Sequence, residues 1–233
     1  MENLGMEFRD WDDIPEFMRN DSVKKYYEIL RRKQFSLKVK RSFDIVASLV
    51  LIILLSPVFL FLTVWIKFDS QGPVYYKQER ITQYGRKFYI FKFRTMVANA
   101  DKIGTLVTVQ EDPRITKAGS KIRKLRLDEL PQLFNIAAGD MSFVGTRPEV
   151  PRYVDEYSDE MKATLLLPAG VTSEASIKYK DEDELLKDAE NVDEIYIQKV
   201  LPEKMRWNLK AIRRFRLYGE LGTMVRTVFH VIA

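Results

Sequence analysis

Cysteine is absent from the 233 residues, and histidine occurs once, at His230. The first absence excludes disulfides, thiolate metal sites, iron–sulfur clusters and cysteine nucleophiles together. The second argues against a Ser-His-Asp triad or a histidine-rich zinc site, because each needs an imidazole at the chemistry. Catalysis, if the chain performs any, must run on carboxylates, Lys, Arg, Tyr or hydroxyls. Internal repeats and low-complexity tracts are also missing. Lys and Arg total 38 against 33 Asp and Glu, a formal charge of +5. That balance favours an anionic partner without identifying it, and no nucleic-acid partner is expected. The length fits one large domain, or one domain with appendages.

What is present begins with an uncharged run of 22 residues, IVASLVLIILLSPVFLFLTVWI, from Ile45 to Ile66. A straight helix of that length reaches about 33 Å, against about 30 Å for a hydrocarbon core. Association with a membrane follows, and the acidic, aromatic N-terminus does not read as a cleaved leader. Pro57 lies near the middle of the run. Its ring clashes with the carbonyl of Ile53 and removes one backbone bond, for which the Ser56 hydroxyl can substitute. Lys38, Lys40 and Arg41 precede the run, and Lys67, Lys77, Arg80, Arg86 and Lys87 follow it. Basic flanks on both sides favour a helix that enters one leaflet, bends and returns. A kinked spanning helix fits these residues equally well.

The neighbouring segments are readable in outline. Residues 22–41 carry eight Lys or Arg and one Glu, a basic, partly helical approach suited to an anionic surface. VYYKQER and RKFYIFKFRTM flank Gln83-Tyr84-Gly85 and predict a β-hairpin, with Lys92 and Arg94 on one face. Residues 181–194 hold eight acids and one Lys and predict a solvated helix. From Pro202 to His230, apolar positions recur at helical spacing among many cations, as in a helix lying in a membrane interface or packed on a domain.

Chemistry is most plausible around Asp128-Glu129. RITKAGSKIRKLR, residues 114–126, holds six cations and no acid, and the carboxylate dyad follows at once. Asp128 would cap a helix ending near Gly139, whose N-terminal N–H groups and dipole would keep the carboxylate ionised and receive phosphate oxygens. An aspartyl nucleophile toward phosphorus suits such a place, and Glu129 is a hard-oxygen ligand fit for Mg²⁺. Downstream, Gly145 and Pro148 stiffen the turn around Arg147, a planar phosphate clamp. A cap and a solvated basic face remain the structural alternative for these same residues.

KRSFDIVASLVLIILLSP, the GPVYYKQER to KFRTM hairpin, RITKAGSKIRKLRLDELPQLFNI and GDMSFVGTRPEVPRY together resemble the bacterial sugar transferase family, the monotopic phosphoglycosyl transferases. The likeness covers about residues 38–233, with four separated motifs in family order. It implies transfer of a sugar 1-phosphate from a UDP-sugar to polyprenyl (undecaprenyl) phosphate with release of UMP. It implies Asp128 as the nucleophile, Glu129 beside it holding Mg²⁺, and Arg94, Arg114, Arg123 and Arg147, with Lys117 and Thr146, binding the substrate. The expected architecture is α/β, mainly helical with a small sheet. Residues 1–37 would be a polar, basic extension, 38–68 a re-entrant membrane helix bent at Ser56-Pro57, 69–201 the catalytic domain and 202–233 a basic interfacial region. The chain resembles the compact form, without the four spanning helices of larger relatives. A place at the cytoplasmic face of a bacterial inner membrane follows, with membrane lipids as partners and a homodimer as an option.

Three departures from the family pattern bear on nucleotide and sugar preference. Arg123-Lys124 stands for the usual arginine pair, Thr146-Arg147-Pro148 for Pro-Arg-Pro, and Pro168 to Ala175 lacks the aromatic of a frequent downstream motif. Two rival readings make other predictions. A non-enzymatic adaptor on anionic lipid would not need Asp128. An ordinary membrane-anchored glycosyltransferase would release UDP.

Overall fold

The computed structural model describes residues 8–100, 112–179 and 191–232. The expected acidic helix at 181–194 therefore lies outside the described residues except for its last four positions, and so does the start of the N-terminal extension. The described fold is mostly helical with two small two-stranded sheets.

The N-terminal segment is no free polar arm. In α1 (Asp21–Arg31) the Asn20 side chain accepts the Val23 N–H at 2.9 Å, a standard N-cap. Val23, Tyr26, Tyr27 and Leu30 follow at helical spacing and are all buried. They join Ile14 and Met18 in one of two cores, shared with Tyr153, Tyr157 and a C-terminal helix. Lys24, Lys25, Arg31 and Arg32 are exposed, on the face away from that core.

The uncharged run forms α2 (Gln34–Leu54) and α3 (Ser56–Asp69), bent by 61° at Leu55. Among the described residues no single helix is long and apolar enough to cross a membrane, whereas this pair passes the same test of length and composition together. At the bend Ser56 Oγ donates to the Ile53 carbonyl at 2.8 Å, the acceptor that Pro57 cannot serve. One side of the pair packs through Phe59, Leu62 and Ile66 into the second core. The other side exposes Ile53, Leu54, Leu60 and Phe61.

Lys40 and Arg41, counted in the sequence as flanking charges, are buried and have protein partners. Arg41 Nη1 donates to the Ile136 carbonyl at 2.7 Å, satisfying the C-terminus of a later helix. Lys40 pairs with Glu220 and lies 3.8 Å from Asp44, which in turn accepts the Ser142 hydroxyl at 2.7 Å. Five polar groups from three segments, four of them buried, thus fasten the base of α2 to the domain.

Strands β1 (Tyr75–Ile81) and β2 (Lys87–Phe93) form the expected antiparallel hairpin, in register from Tyr75 opposite Phe93 to Ile81 opposite Lys87. Then come α4 (Lys117–Lys124), a 3-10 turn at Leu127–Glu129, and α5 (Gln132–Ala138), which stops at Gly139 with φ 94°. A second sheet, parallel, pairs β3 (Met141–Val144) with β4 (Ala169–Thr172). Its strands are too short to stand out in the sequence. The crossover between them holds α6 (Pro151–Val154) and a 3-10 segment, Met161–Leu166.

After β4 come α7 (Glu174–Lys178) and α8 (Val192–Ile195), with residues 180–190 between them undescribed. A π-helical turn at Tyr196–Val200 runs into α9 (Leu201–Arg213). The single C-terminal helical pattern divides here, because α10 (Leu217–Ile232) starts afresh after buried Phe215, whose carbonyl accepts Lys33 Nζ at 2.6 Å.

Candidate active site

A cavity of about 950 Å³ opens between the two cores. Its wall draws on β1, the end of β2, the C-terminus of α4, the Arg126–Glu129 turn, the Arg147–Val150 segment and the C-terminal third of the chain. Asp128 and Glu129 both line it. The local backbone is unusual: Arg126 adopts φ 51°, a left-handed conformation rare for a residue with a side chain. That twist breaks the run from α4 and turns the dyad toward the cavity. Asp128 therefore sits inside a three-residue 3-10 turn and caps no longer helix; Pro131, not Asp128, precedes α5. A single turn carries little dipole, so the expected electrostatic support from a helix N-terminus is weak.

Charge in the dyad is unevenly distributed. Glu129 Oε1 accepts Arg147 Nη2 at 2.6 Å and Lys92 Nζ at 3.3 Å. Burial opposes its charge, but Arg147 and Lys92 outweigh that and hold the carboxyl well below the usual range. For Asp128 the balance goes the other way. Burial pushes its carboxyl up, Lys92 opposes, and the adjacent Glu129 charge adds to the rise. No side-chain hydrogen bond from the described residues holds the Asp128 carboxylate. Its surroundings thus shift this carboxyl upward, without the support expected from a helix N-terminus. A poorly stabilised carboxylate is the more nucleophilic one, and Lys92 then matters because its charge restrains the rise.

Replacing Lys92 by Met removes that restraint. If ionised Asp128 attacks, kcat/KM rises with pH as the proton leaves and then levels off. In Lys92→Met the rising limb moves to higher pH, whatever happens to the plateau. Profiles of kcat/KM between about pH 5 and 9 for both proteins test this, and coincident limbs would exclude titration of Asp128 as their source.

The described residues contain no cluster of three or more His, Asp or Glu side chains fit to hold a metal unaided. Mg²⁺ does not need one, since it is commonly held by one or two carboxylates plus waters and substrate phosphates. Glu129 fits that mode: it is kept ionised, and both its cationic partners bind Oε1, leaving Oε2 for a metal. Bound there, Mg²⁺ would neutralise phosphate charge.

The other expected site residues divide. Arg123 and Arg147 line the cavity, and both charges act on Asp128. Arg94 also lines it but is buried, donating to the Ser70 carbonyl at 2.6 Å and so capping α3. Arg114 reaches the wall while forked onto Asp112, with Nη2 to Oδ2 at 2.6 Å. Lys117 is exposed at the start of α4, and Thr146 is half-buried with its carbonyl accepting the Gly170 N–H at 2.8 Å; neither lines the cavity. Gly119 lets α4 approach this closely, because a Cβ there would lie 2.0 Å from the Thr95 carbonyl oxygen.

Sequence reasoning missed one part of the wall. Tyr196 Oη donates to Glu149 Oε1 at 2.7 Å and accepts from Lys204 Nζ at 3.0 Å. Glu149 Oε2 lies 3.9 Å from Arg80, which also donates to the Pro148 carbonyl at 3.0 Å. This chain of contacts braces the turn that aims Arg147 at Glu129. Glu149 stood in a quoted motif, but nothing local marks Tyr196 and Lys204, which join it from 47 and 55 residues away. The π-helical turn at Tyr196, a form frequent at functional sites, is visible only in the fold.

Adjacent carboxylates, one pushed up and one held down, lie in a polar cavity ringed by Lys and Arg, an arrangement suited to phosphorylated substrates. The chain belongs to the bacterial sugar transferase family, whose profile matches residues 35–233. It is 45% identical over 123 residues to a UDP-N-acetylgalactosamine-undecaprenyl-phosphate N-acetylgalactosaminephosphotransferase of Aeromonas hydrophila, covering 53% of this chain and 29% of that protein. It is 39% identical over 148 residues to the exopolysaccharide production protein ExoY of Sinorhizobium fredii, covering 57% of this chain and 66% of that one. Against the UDP-glucose:undecaprenyl-phosphate glucose-1-phosphate transferase of Escherichia coli the identity is 32% over 196 residues, 82% of this chain and 39% of that protein. The chain thus spans less than two thirds of each of these three relatives.

Proposed function

We propose that this chain moves a sugar 1-phosphate from a UDP-sugar to undecaprenyl phosphate at the cytoplasmic face of a bacterial membrane. In the first step an Asp128 carboxylate oxygen attacks the sugar-linked phosphorus, a phosphorus–oxygen bond forms, and the bond to the UMP oxygen breaks. UMP leaves with the electron pair. In the second step a phosphate oxygen of the lipid attacks the same phosphorus and frees Asp128, giving the lipid diphospho-sugar. Two anionic substrates repel each other, and a covalent intermediate lets them use one cationic site in turn. Arg123, Lys92 and Arg147 neutralise phosphate charge, and Glu129 holds Arg147 in place.

The observation that carries this reading is Asp128 and Glu129 in one cavity with Lys92, Arg123 and Arg147. The names of the relatives support the substrate classes. The bent α2–α3 pair, with its apolar outer side, supports insertion into one leaflet, and its attachment supports a function for that insertion. Asp69, the last residue of α3, accepts the Ala118 N–H of α4 at 3.2 Å, and Arg94 caps the same end. The inserted pair and the cation-bearing helix would then move as one body, holding the cavity near the headgroup plane where the acceptor phosphate lies.

Purified chain incubated with a panel of UDP-sugars, Mg²⁺ and undecaprenyl phosphate should release UMP. With donor alone, its intact mass should rise by one phospho-sugar, mapped to Asp128. Release of UDP would favour an ordinary glycosyltransferase. Neither nucleotide nor adduct, from folded protein, would favour an adaptor.

A further inference from the structure

Several of the cations that line the cavity already have protein partners. Lys92 and Arg147 serve Glu129, Arg114 is forked onto Asp112, and Lys204 donates to Tyr196. Arg80 and Arg94 hold the carbonyls of Pro148 and Ser70. Arg126 differs. It lines the same cavity, half-buried, and its guanidinium has no hydrogen bond or ion pair among the described residues.

The backbone of Arg126 asks for another residue. At φ 51° and ψ 25° a Cβ crowds the following carbonyl, a contact that glycine escapes altogether. Both main-chain groups close turns: the N–H donates to the Arg123 carbonyl at 2.9 Å, and the carbonyl accepts the Glu129 N–H at 3.2 Å. Neither bond uses the side chain, so glycine would serve the turn better, and what arginine adds is a cation beside the dyad. Strain kept at a residue whose charged side chain faces a reaction cavity points to a use for that side chain.

Position in the turn says what the charge meets. Arg126 stands three residues before Glu129, one 3-10 turn away, and its charge is among those that hold that carboxyl down. Arg123 acts on Asp128 instead. Displacement at phosphorus runs with the attacking and leaving oxygens roughly in line. UMP therefore leaves from the side opposite Asp128, and the lipid phosphate, which displaces Asp128 in its turn, enters from that same side. Both are phosphate monoesters, so one cation can serve both.

We propose that Arg126 binds the phosphate monoester on that far side: the nucleotide's as UMP departs, and the lipid's as it enters. This rests on the two-step reaction proposed above. Arg126 exchanges no proton in either step. Its planar, permanently charged fork balances the charge that grows on UMP as the bond breaks, and then holds the incoming phosphate in place.

Asparagine and glycine both take the left-handed conformation, so Arg126→Asn and Arg126→Gly remove the charge and keep the turn. Three quantities are measured on the full chain and each variant with Mg²⁺ present. They are UMP affinity by calorimetry, the single-turnover rate of adduct formation from donor alone, and the rate at which undecaprenyl phosphate clears preformed adduct once UMP is removed. All three should fall about 10–100-fold, with the melting temperature unchanged or raised, and Arg126→Lys should recover part of each loss. Parental values of all three, whatever the melting temperature, would leave the guanidinium idle and overturn the proposal while the two-step reading stands. Loss confined to UMP affinity and the donor step would make Arg126 a nucleotide ligand only. Loss confined to the lipid step would make it an acceptor ligand only. Either result overturns the shared position. A parent chain that forms no adduct removes the two-step reading and this inference with it.

Discussion

Asp128→Asn is expected to lose on the order of 10⁴-fold or more in kcat/KM and to form no phospho-sugar adduct, since it removes the attacking oxygen while preserving shape. The same variant should be more stable than the parent at neutral pH. Burial and the neighbouring Glu129 charge raise the native carboxyl. A group whose folded pKa is raised contributes stability that is fully present below its unfolded value, near 4, and is lost as pH rises through the folded value. At pH 8 the parent therefore carries an unfavourable charge that Asn does not. Melting temperatures of both proteins should differ in favour of Asn at pH 8, by about 2–4 °C for each kcal/mol relieved. The gap should close as pH falls toward 4. An active Asn variant would sink the nucleophile. An inactive one without the pH-dependent gap would place Asp128 in an environment other than the one described.

Arg147→Met should reduce kcat/KM by about 10²–10³-fold, the usual cost of removing one preorganised cation from a developing phosphate charge. It also deprives Glu129 of its 2.6 Å partner, leaving Lys92 at 3.3 Å. A buried carboxylate that loses one of two cations costs about 1–3 kcal/mol. Arg147→Lys should recover stability better than rate, because an ammonium restores charge but not the two-pronged geometry. Steady-state kinetics and thermal melts on both variants separate the roles. Wild-type rates in Arg147→Met would remove Arg147 from the site, and unchanged stability would mean that Glu129 does not depend on it.

The brace behind Arg147 shows where reading the sequence stops. GTRPEV announces a rigid turn bearing an arginine, since Gly and Pro restrict the backbone within a few positions. Where that arginine points is set by Arg80 on the Pro148 carbonyl and by Glu149, itself held by Tyr196 and Lys204. Those contacts join β1, a loop and the C-terminal helices. Arg94 is similar. Its place on one strand face with Lys92 suggests a phosphate ligand, and only the fold shows that its Nη2 is committed to the end of α3, because the chain following that helix folds back beside it.

Local order was legible from the chain alone: the hairpin around Gln83-Tyr84-Gly85, the bend at Ser56-Pro57, the helix end at Gly139, and a carboxylate dyad next to six cations. Each depends on backbone sterics or periodicity acting over a few residues, which a sequence states directly. Tertiary structure alone decided that Asp128 is pushed up while Glu129 is held down, that Lys40 and Arg41 are internal fasteners, and that α9 is buried whereas α10 presents its apolar side. Those outcomes depend on solvent exclusion and on charges brought within a few ångströms from distant segments. Spacing along the chain carries no record of such distances.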